Sequence, residues 1–296
     1  MRAALSIVAG PVDSLEIRDI DAPVAGPDEV VVAVEATALN FMDTLIVRDR
    51  YQVKPPRPFS PGGECAGRIV EVGPAVGGFQ VGDRVCAYVG YGAARERVAV
   101  KESSLIRVPD EVSLDQAAGL IVTYGTVLHA LRDRAGIGKG ETLLLTGTTG
   151  GVGSAAVELG QLLGARILAC TNGDRSELRA HGVDLFVNPD DDDVKSAIRA
   201  LTNENGADVV LDVTGGNLTE QLVRATRWGG RYLVVGFAAG EIPKLPLNLV
   251  LLKSLDIMGI HWSAWAQKEP EAHRRNTEWL LKQVADGLLS PRIDRH

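Results

Sequence analysis

The spacing of the apolar positions changes near residue 110 of the chain. Before that point, short β-branched runs such as residues 30–36 and 67–72 are separated by turns that contain glycine and proline. This pattern is typical of a compact, barrel-like β unit, and no helical periodicity is evident before Ser113. A helix is predicted to begin at Ser113, whose hydroxyl can accept from first-turn amides, and to run towards Leu131.

Apolar runs and helical segments alternate through the rest of the chain. The predicted strands are 142–146, 166–170, 184–187, 208–212, 231–235 and 255–260. The predicted helices include 153–163, 191–201 and 269–288. Because short β-branched runs divided by helices form parallel sheets, the sequence predicts an α/β fold with a doubly wound sheet of the Rossmann type.

A glycine-rich motif follows the first strand of this predicted sheet. Gly147 permits a tight turn off the strand, and Gly150 lets the backbone approach a pyrophosphate without a Cβ in the way. Gly153 lets the next helix pack close to the sheet, and Gly151 and Val152 place first-turn amides beside the anion. A tight strand–helix turn without a ligand is the alternative, but the repeated βαβ context favours a dinucleotide site.

The end of the second predicted strand indicates which dinucleotide binds. An acid at this point usually holds the ribose 2′-hydroxyl of NAD, whereas a nearby arginine suits the 2′-phosphate of NADP. The strand ends in Cys170 and Thr171, and Asp174 comes late enough to be a helix-capping residue. Arg175 is therefore the candidate partner of a 2′-phosphate, with Asn172 as a neutral contact, unless Arg175 is only a solvated residue at a helix start. The predicted cofactor is NADPH.

Composition and charge exclude several other classes of protein. The 296 residues carry a formal net charge of −7, which argues against a nucleic-acid-binding surface. Apolar stretches such as residues 249–252 are too short to span a membrane, and the N-terminus resembles a first strand more than a signal peptide. Only three separated cysteines occur, at 65, 86 and 170, which argues against a disulfide scaffold and favours the reducing cytoplasm.

The glycine motif also fits the fingerprint of short-chain dehydrogenases. That family needs a catalytic Tyr-x-x-x-Lys and carries its fingerprint at the N-terminus. None of the tyrosines, at 51, 88, 91, 124 and 232, is followed four residues later by a lysine. The short-chain alternative therefore fails.

Motifs along nearly the whole chain resemble the zinc-independent, ζ-crystallin-like quinone oxidoreductase branch of the medium-chain dehydrogenase/reductase superfamily. The motifs are ALNFMDT at 38–44, RYQVKPP at 50–56, PGGECAG at 61–67, GDRV at 82–85, VTYGT at 122–126 and VVGFAAGEIP at 234–243. The resemblance implies a GroES-like β-barrel substrate domain over residues 1–118 and a Rossmann NADP-binding domain over 119–260. Residues 261–296 would return to the first domain, and we expect a homodimer.

The resemblance also bears on the end of the sequence. Family members usually continue through a further helix and strand that complete the first domain, whereas this sequence stops at His296. We expect either a truncation, which would expose part of the core of the first domain, or only the ordered portion of the chain.

The metal ligands of the zinc alcohol dehydrogenases are missing. Those relatives place a cysteine before Asp-x-His and use Gly-His-Glu further on, whereas here Asn40 and Asp43 have no such cysteine and Gly63-Glu64 lacks the histidine. The four-cysteine structural loop is also absent from the sequence, so no metal site is expected. Without a Lewis acid, the resemblance implies hydride transfer from NADPH to a quinone or to the β-carbon of an enone.

The resemblance places three residues at the acceptor. Asn40 would orient it, Tyr51 would donate a hydrogen bond or a proton to it, and Asp43 would support both. Two alternatives stay open, since Asp43 can cap a local turn and Tyr51 can form only a wall of the pocket.

The same resemblance assigns further cofactor contacts. Thr123 and Tyr124 would lie beside the nicotinamide, Gly236 and Phe237 would present backbone groups to the carboxamide, and Asn248 would close the site. One departure weakens the preference for NADPH. Some relatives have a 2′-phosphate-binding tyrosine after the third Rossmann strand, where this chain has a proline and the acidic run 190–193.

Two other functions are compatible with the sequence. One is reduction of an enoyl thioester or acrylate, with an anionic substrate attracted by Arg48, Arg50 and Lys54, although solvated surface charges explain these residues equally well. The other is a crystallin-like protein that binds NADPH without turnover.

Overall fold

The computed structural model describes residues 1–183, 185–191 and 193–293, and the chain divides into two compact units. The first unit comprises Met1–Gly125 together with the chain from Ser263 onward, and the second comprises Thr126–Trp262. Three predictions extend beyond these ranges: Asp184 of a predicted strand, Asp192 of a predicted helix and the chain end at 294–296 lie outside the described residues.

The first unit is built on antiparallel strands. They are β1 (Arg2–Leu5), β2 (Glu16–Asp19), β3 (Glu29–Ala38), β4 (Glu64–Val72), β5 (Arg84–Tyr88), β6 (Arg97–Lys101) and β7 (Leu105–Arg107). β1 pairs with β2, and the others form a sheet in the order β6-β3-β4-β5-β7. Its apolar core includes Val30, Val32 and Ile69, and burial of these β-branched side chains stabilises the sheet. The short helices are α1 (Phe41–Ile46), α2 (Leu114–Ala118) and α3 (Thr123–Leu128), the last of which continues into the second unit.

The second unit is a parallel sheet with helices in its connections. Its strands are β8 (Thr142–Thr146), β9 (Arg166–Cys170), β10 (Leu185–Val187), β11 (Ala207–Asp212), β12 (Thr226–Val234) and β13 (Asp256–Gly259). Its helices are α4 (Gly151–Leu162), α5 (Ser176–Ala180), α6 (Val194–Leu201), α7 (Leu218–Ala225) and α8 (Leu247–Lys253). The strand order β10-β9-β8-β11-β12-β13 reverses beside β8, which is the switch point of a doubly wound sheet. The predicted α/β fold is confirmed.

The last described segment rejoins the first unit. It contains α10 (Pro270–Ala285), which corresponds to the helix predicted over 269–288, and a further helix before it, α9 (Trp262–Lys268), that was not predicted. α10 packs against β7, and Arg274 donates to the backbone oxygen of Ser103 at 3.0 Å. This segment therefore forms part of the first unit's packing.

Two helical predictions were wrong in detail. α1 precedes Ser113, where no helix was predicted, because its six residues are too few to show a periodicity of 3.6. The long helix predicted from Ser113 ends after α2, and α3 and a π-helical segment over His129–Arg134 follow. Ser113 does cap α2, since its hydroxyl accepts from the Gln116 amide at 3.1 Å.

Candidate active site

Asp43 fixes the turn that carries Asn40 into α1. One carboxylate oxygen of Asp43 accepts from the Asn40 amide at 2.7 Å, and the other accepts from the Gly62 amide at 2.9 Å. Burial raises the pKa of the Asp43 carboxyl, and these backbone hydrogen bonds oppose the rise. The side chain therefore acts on the backbone around Asn40, as the turn-capping alternative proposed.

Glu64 is a site residue that sequence reasoning missed. Its side chain is fully buried at the start of β4, where Oε1 accepts from Asn40 Nδ2 at 2.8 Å and Oε2 accepts from the Val122 amide at 2.9 Å. Burial raises the pKa of Glu64 to about 8, although the hydrogen bonds from Asn40 and Val122 lower it. The one available signal was an acidic residue inside the buried PGGECAG motif.

Two tyrosines lie near this carboxyl cluster. Tyr51 is half-buried against the apolar side chains of Ile46 and Phe59, and its hydroxyl makes no hydrogen bond within the described part of the chain. Tyr88, on β5, has its pKa raised to about 12 by burial and then by the nearby Tyr51, with smaller contributions from Glu64 and Asp43. The first unit therefore brings together Asn40, Asp43, Glu64, Tyr51 and Tyr88.

Thr123 and Tyr124 open α3 at the end of the first unit. The Thr123 hydroxyl donates to the backbone oxygen of Gly119 at 2.9 Å, and Tyr124 is buried. Val122, which Glu64 binds, immediately precedes them. The cluster is thus linked to this segment through the backbone.

The glycines between β8 and α4 have different structural roles. Gly147 has a φ of +61°, and a Cβ there would lie 2.5 Å from a methyl group of Val213. A Cβ on Gly153 would lie 2.0 Å from the Gly147 oxygen, which the backbone cannot accommodate unchanged. A Cβ on Gly150 would meet only that same oxygen, at an ordinary 3.5 Å. Gly147 and Gly153 therefore shape the loop, whereas Gly150 leaves open space.

Two features of this loop fit a phosphate ligand. Gly151 and Val152 begin α4, whose first-turn amides have no partner within the helix. The Thr148 hydroxyl is buried and makes no hydrogen bond within the described residues. Such donors are the groups that bind a pyrophosphate at a helix N-terminus.

Asp212, at the end of β11, organises the same edge of the sheet, and its role was not predicted. Its carboxylate is buried and accepts from the hydroxyls of Thr146 at 2.8 Å and Tyr232 at 2.6 Å. It also accepts from the amides of Thr214 at 2.9 Å and Gly215 at 3.0 Å. One side chain therefore links β8, β12 and the loop after β11.

Two charged residues bear on the choice between NADP and NAD: Arg175, which follows β9, and Asp190, which follows β10. Arg175 is half-buried with its guanidinium 5.2 Å from the centre of the Phe186 ring, and Asp174 accepts from the Ser176 amide at 2.9 Å. Asn172 donates from Nδ2 to the Asp190 carboxylate at 2.7 Å. Asp190 therefore lies beside Asn172, a predicted cofactor contact, where its negative charge would repel a 2′-phosphate. Asp192 of the same acidic run lies outside the described residues.

The last three predicted contacts are in the second unit. Gly236 follows β12 and donates its amide to the Asp212 backbone oxygen at 3.3 Å, and Phe237 is 37% exposed. Because the strands are parallel, these residues share one sheet edge with the glycine loop and with Asn172 and Arg175. Asn248 is exposed on α8, which packs against β12.

The described part of the chain has neither a candidate metal cluster nor a candidate membrane-spanning helix. Within residues 1–183, 185–191 and 193–293, no group of three or more His, Cys, Asp or Glu side chains is arranged so that it could hold a metal ion. No helix in these ranges is long and apolar enough to cross a membrane.

Comparison with known proteins assigns both units to families. Residues 26–110 match the alcohol dehydrogenase GroES-like domain, and residues 151–278 match the zinc-binding dehydrogenase family. Quinone oxidoreductase-like protein 2 of Mus musculus is 34% identical over 280 residues, which are 94% of this chain and 80% of the mouse protein.

Solved structures agree with this assignment. The quinone oxidoreductase of Pseudomonas syringae pv. Tomato DC3000 superposes with a TM-score of 0.90 at 27% identity, covering 99% of this chain and 90% of its own. The CurK enoyl reductase gives a TM-score of 0.88 at 26% identity, again covering 99% and 90% of the two chains. The predicted resemblance, including its GroES-like first domain, is confirmed.

Proposed function

The chain belongs to the medium-chain dehydrogenase/reductase superfamily, and from this premise we propose that it reduces quinones or other conjugated carbonyl acceptors with NADPH, without a metal. The observation that carries the proposal is the cluster in the first unit. There Tyr51, whose hydroxyl makes no hydrogen bond within the described residues, interacts with Tyr88, and Tyr88 interacts with Glu64 of the Asn40–Glu64 pair. We further propose a homodimer in the cytoplasm, where the free thiols of the three buried cysteines stay reduced.

The glycine loop supports binding of the dinucleotide. The open space at Gly150 and the unpaired Thr148 hydroxyl suit a pyrophosphate, and the first-turn amides of α4 add donors and a favourable dipole. Gly236 and Phe237, on the same edge, would face the nicotinamide carboxamide, and Thr123, Tyr124 and Asn248 complete the proposed contacts. The bound cofactor supplies the hydride.

The acceptor chemistry follows from where charge develops. When hydride adds to a quinone or to the β-carbon of an enone, negative charge forms on the carbonyl oxygen and needs a donor. The Tyr51 hydroxyl can donate to that oxygen because no described residue occupies it. Asn40 would orient the acceptor, and Asp43 would hold the Asn40 backbone in place.

Metal-free chemistry is supported by the side chains at the expected ligand positions. Zinc binds cysteine, histidine and carboxylate ligands in clusters of three or four, whereas this site offers an amide and two buried carboxyls. Glu64 already accepts from Asn40 and Val122, and Asp43 accepts from backbone amides. Both carboxyls therefore serve protein donors.

Reduction of an enoyl thioester is the second candidate. The similarity to the CurK enoyl reductase favours it, and it needs the same stabilisation of a carbonyl oxygen. Arg48 and Arg50 are exposed close to Tyr51 in the chain, where they could attract an anionic carrier group.

An acceptor panel tests the function directly. We expect quinones and enones to cause loss of NADPH absorbance with the protein after exhaustive chelation, because the proposed hydride transfer needs no metal. Faster turnover of enoyl thioesters would select the second candidate. Binding of NADPH without turnover of any acceptor would contradict both and favour the crystallin-like alternative, and activity that returns only with added zinc would contradict the metal-free proposal.

Arg175 and Asp190 are expected to act oppositely on cofactor preference. Arg175→Ala should raise the KM for NADPH about tenfold or more relative to that for NADH, because only NADPH carries the 2′-phosphate. Asp190→Asn should lower the KM for NADPH by removing a like charge. Arg179→Ala is the matched control, since Arg179 lies 4.9 Å from the same Phe186 ring. Equal effects of Arg175→Ala on both cofactors would remove Arg175 from this role.

A further inference from the structure

The proposed chemistry assigns no role to Glu64, although burial of its carboxyl destabilises the folded protein. The side chain is fully buried, and no cation forms an ion pair with it within the described residues. A buried carboxyl without a positive partner destabilises a folded protein unless hydrogen bonds compensate. Its hydrogen-bond donors, which are the Asn40 side chain and the backbone of Ile121 and Val122, therefore indicate why it is there.

These donors come from two distant parts of the first unit. Oε1 accepts from the side chain of Asn40, 24 positions away, and Oε2 accepts from the backbone of Val122, 58 positions away. Asn40 is the proposed acceptor contact, and Val122 leads directly into Thr123 and Tyr124, the proposed nicotinamide contacts. One carboxyl thus joins the residues proposed for the two reactants.

The titratable groups described around Glu64 favour its neutral form. Asp43 of α1, Cys65 on its own strand, and Cys86 and Tyr88 of β5 all interact with it electrostatically, and none of them is a cation. Burial is the main cause that raises the pKa of Glu64 to about 8, and the charge of Asp43 adds to it. We therefore expect the carboxyl to change its proton state within the pH range of ordinary assays.

We propose that Glu64 is a positioning residue whose ionised carboxyl holds the Asn40 side chain and the segment entering α3 in one arrangement, and that protonation loosens this hold. An ionised carboxylate accepts charge-assisted hydrogen bonds from both donors, whereas a protonated one is a weaker acceptor. The inference rests on the proposed function, since Asn40 and Thr123 matter only if reactants bind there.

Kinetics of Glu64→Gln test the catalytic consequence. With saturating NADPH and a quinone, wild-type kcat should rise as the pH increases through about 8. Glu64→Gln should lose this rise and fall about tenfold below the wild-type plateau, the loss expected for one charge-assisted hydrogen bond. Glu71→Gln is the matched control, because Glu71 lies on the same strand but is exposed and accepts from Ala25. A wild-type pH profile and kcat in Glu64→Gln would overturn the proposal.

The Asn40 side-chain amide gives a readout that needs no activity. Its NMR signal, assigned by its loss in Asn40→Ser, should shift with a midpoint near pH 8 in the wild type and stay fixed in Glu64→Gln. A shift that persists in Glu64→Gln would assign the proton to Asp43 and overturn the inference. If the amide titrates as expected but no acceptor is reduced, the proposed function fails while the Glu64–Asn40 link stands.

Stability provides the fold control. Because burial raises the pKa of Glu64 above its ordinary 4.5, the folded state holds the proton more tightly and loses stability as the pH rises from that value through about 8. Glu64→Gln should lose less stability than the wild type over this pH range, and its Tm should therefore depend less on pH. If Glu64→Gln does not fold, the same kinetics are measured on Glu64→Asp. Its shorter side chain cannot reach both Asn40 and Val122, so its kcat should also fall. Wild-type kcat in Glu64→Asp would overturn the proposal.

Discussion

Gly150→Val is expected to abolish useful NADPH binding while the protein stays folded. Gly150 has a φ of −84° and a ψ of 169°, an extended conformation that valine adopts easily, and its Cβ would enter open space. That space is where the pyrophosphate is proposed to approach the backbone. The Kd for NADPH, measured by fluorescence titration, should rise at least about 100-fold, which corresponds to roughly 2.7 kcal/mol.

Gly153→Ala is the matched comparison for this variant. Its Cβ would lie 2.0 Å from the Gly147 oxygen, so the loop must shift and the fold itself is strained. We expect a lower Tm for Gly153→Ala, with about 1–3 kcal/mol of lost stability, and an unchanged Tm for Gly150→Val. Normal NADPH affinity in a folded Gly150→Val protein would mean that the glycine run is only a structural turn.

Tyr51→Phe is expected to lower kcat with little change in NADPH affinity. The substitution keeps the ring against Phe59 and removes only the hydroxyl, whose proposed task arises in the transition state. The fall should be about tenfold to a hundredfold, equivalent to roughly 1.4–2.7 kcal/mol of lost stabilisation. It should be larger for enones, which need a proton at carbon after hydride transfer, than for strongly electrophilic quinones.

Tyr91→Phe serves as the control for this measurement. Tyr91 contacts the same Phe59 ring edge-on at 5.9 Å, so the variant removes an equivalent hydroxyl from the same unit. Its kinetics should match the wild type. If Tyr51→Phe raises only the acceptor KM, Tyr51 is a wall of the pocket, and if nothing changes with any active acceptor, Tyr51 lies outside the site.

The sequence predicted the second unit well because its signals are local. The fully buried run Leu143–Leu145, the glycines after it and the small residues of α4 lie within about twenty residues and have one physical explanation, a strand buried on both faces that leads into a close-packed helix. The strand bounds at 142–146 and 166–170 were predicted without error for the same reason.

Contacts between residues that are distant in the chain could not be predicted from the pattern of apolar and polar positions. Asn40 and Glu64 meet because β3 pairs with β4, and Thr146 meets Asp212 because β8 pairs with β11, 66 positions later. Neither register can be derived from the alternation of apolar residues alone. The predicted residues Asn40 and Asp43 were therefore found by motif, whereas Glu64 and Asp212, which hold the motifs in place, required the structure.

The hydrogen bonds at Asp212 also bear on the entropy of ligand binding. The carboxylate satisfies the amides of Thr214 and Gly215 and the hydroxyls of Thr146 and Tyr232 from within the protein. These bonds order the loop after β11 and tie it to the end of β8, at the sheet edge where a dinucleotide is proposed to bind. Each side chain that needs no further ordering spares about 0.5–1.5 kcal/mol on association. The free energy of the proposed cofactor contacts then remains available as affinity and is not used to order that loop.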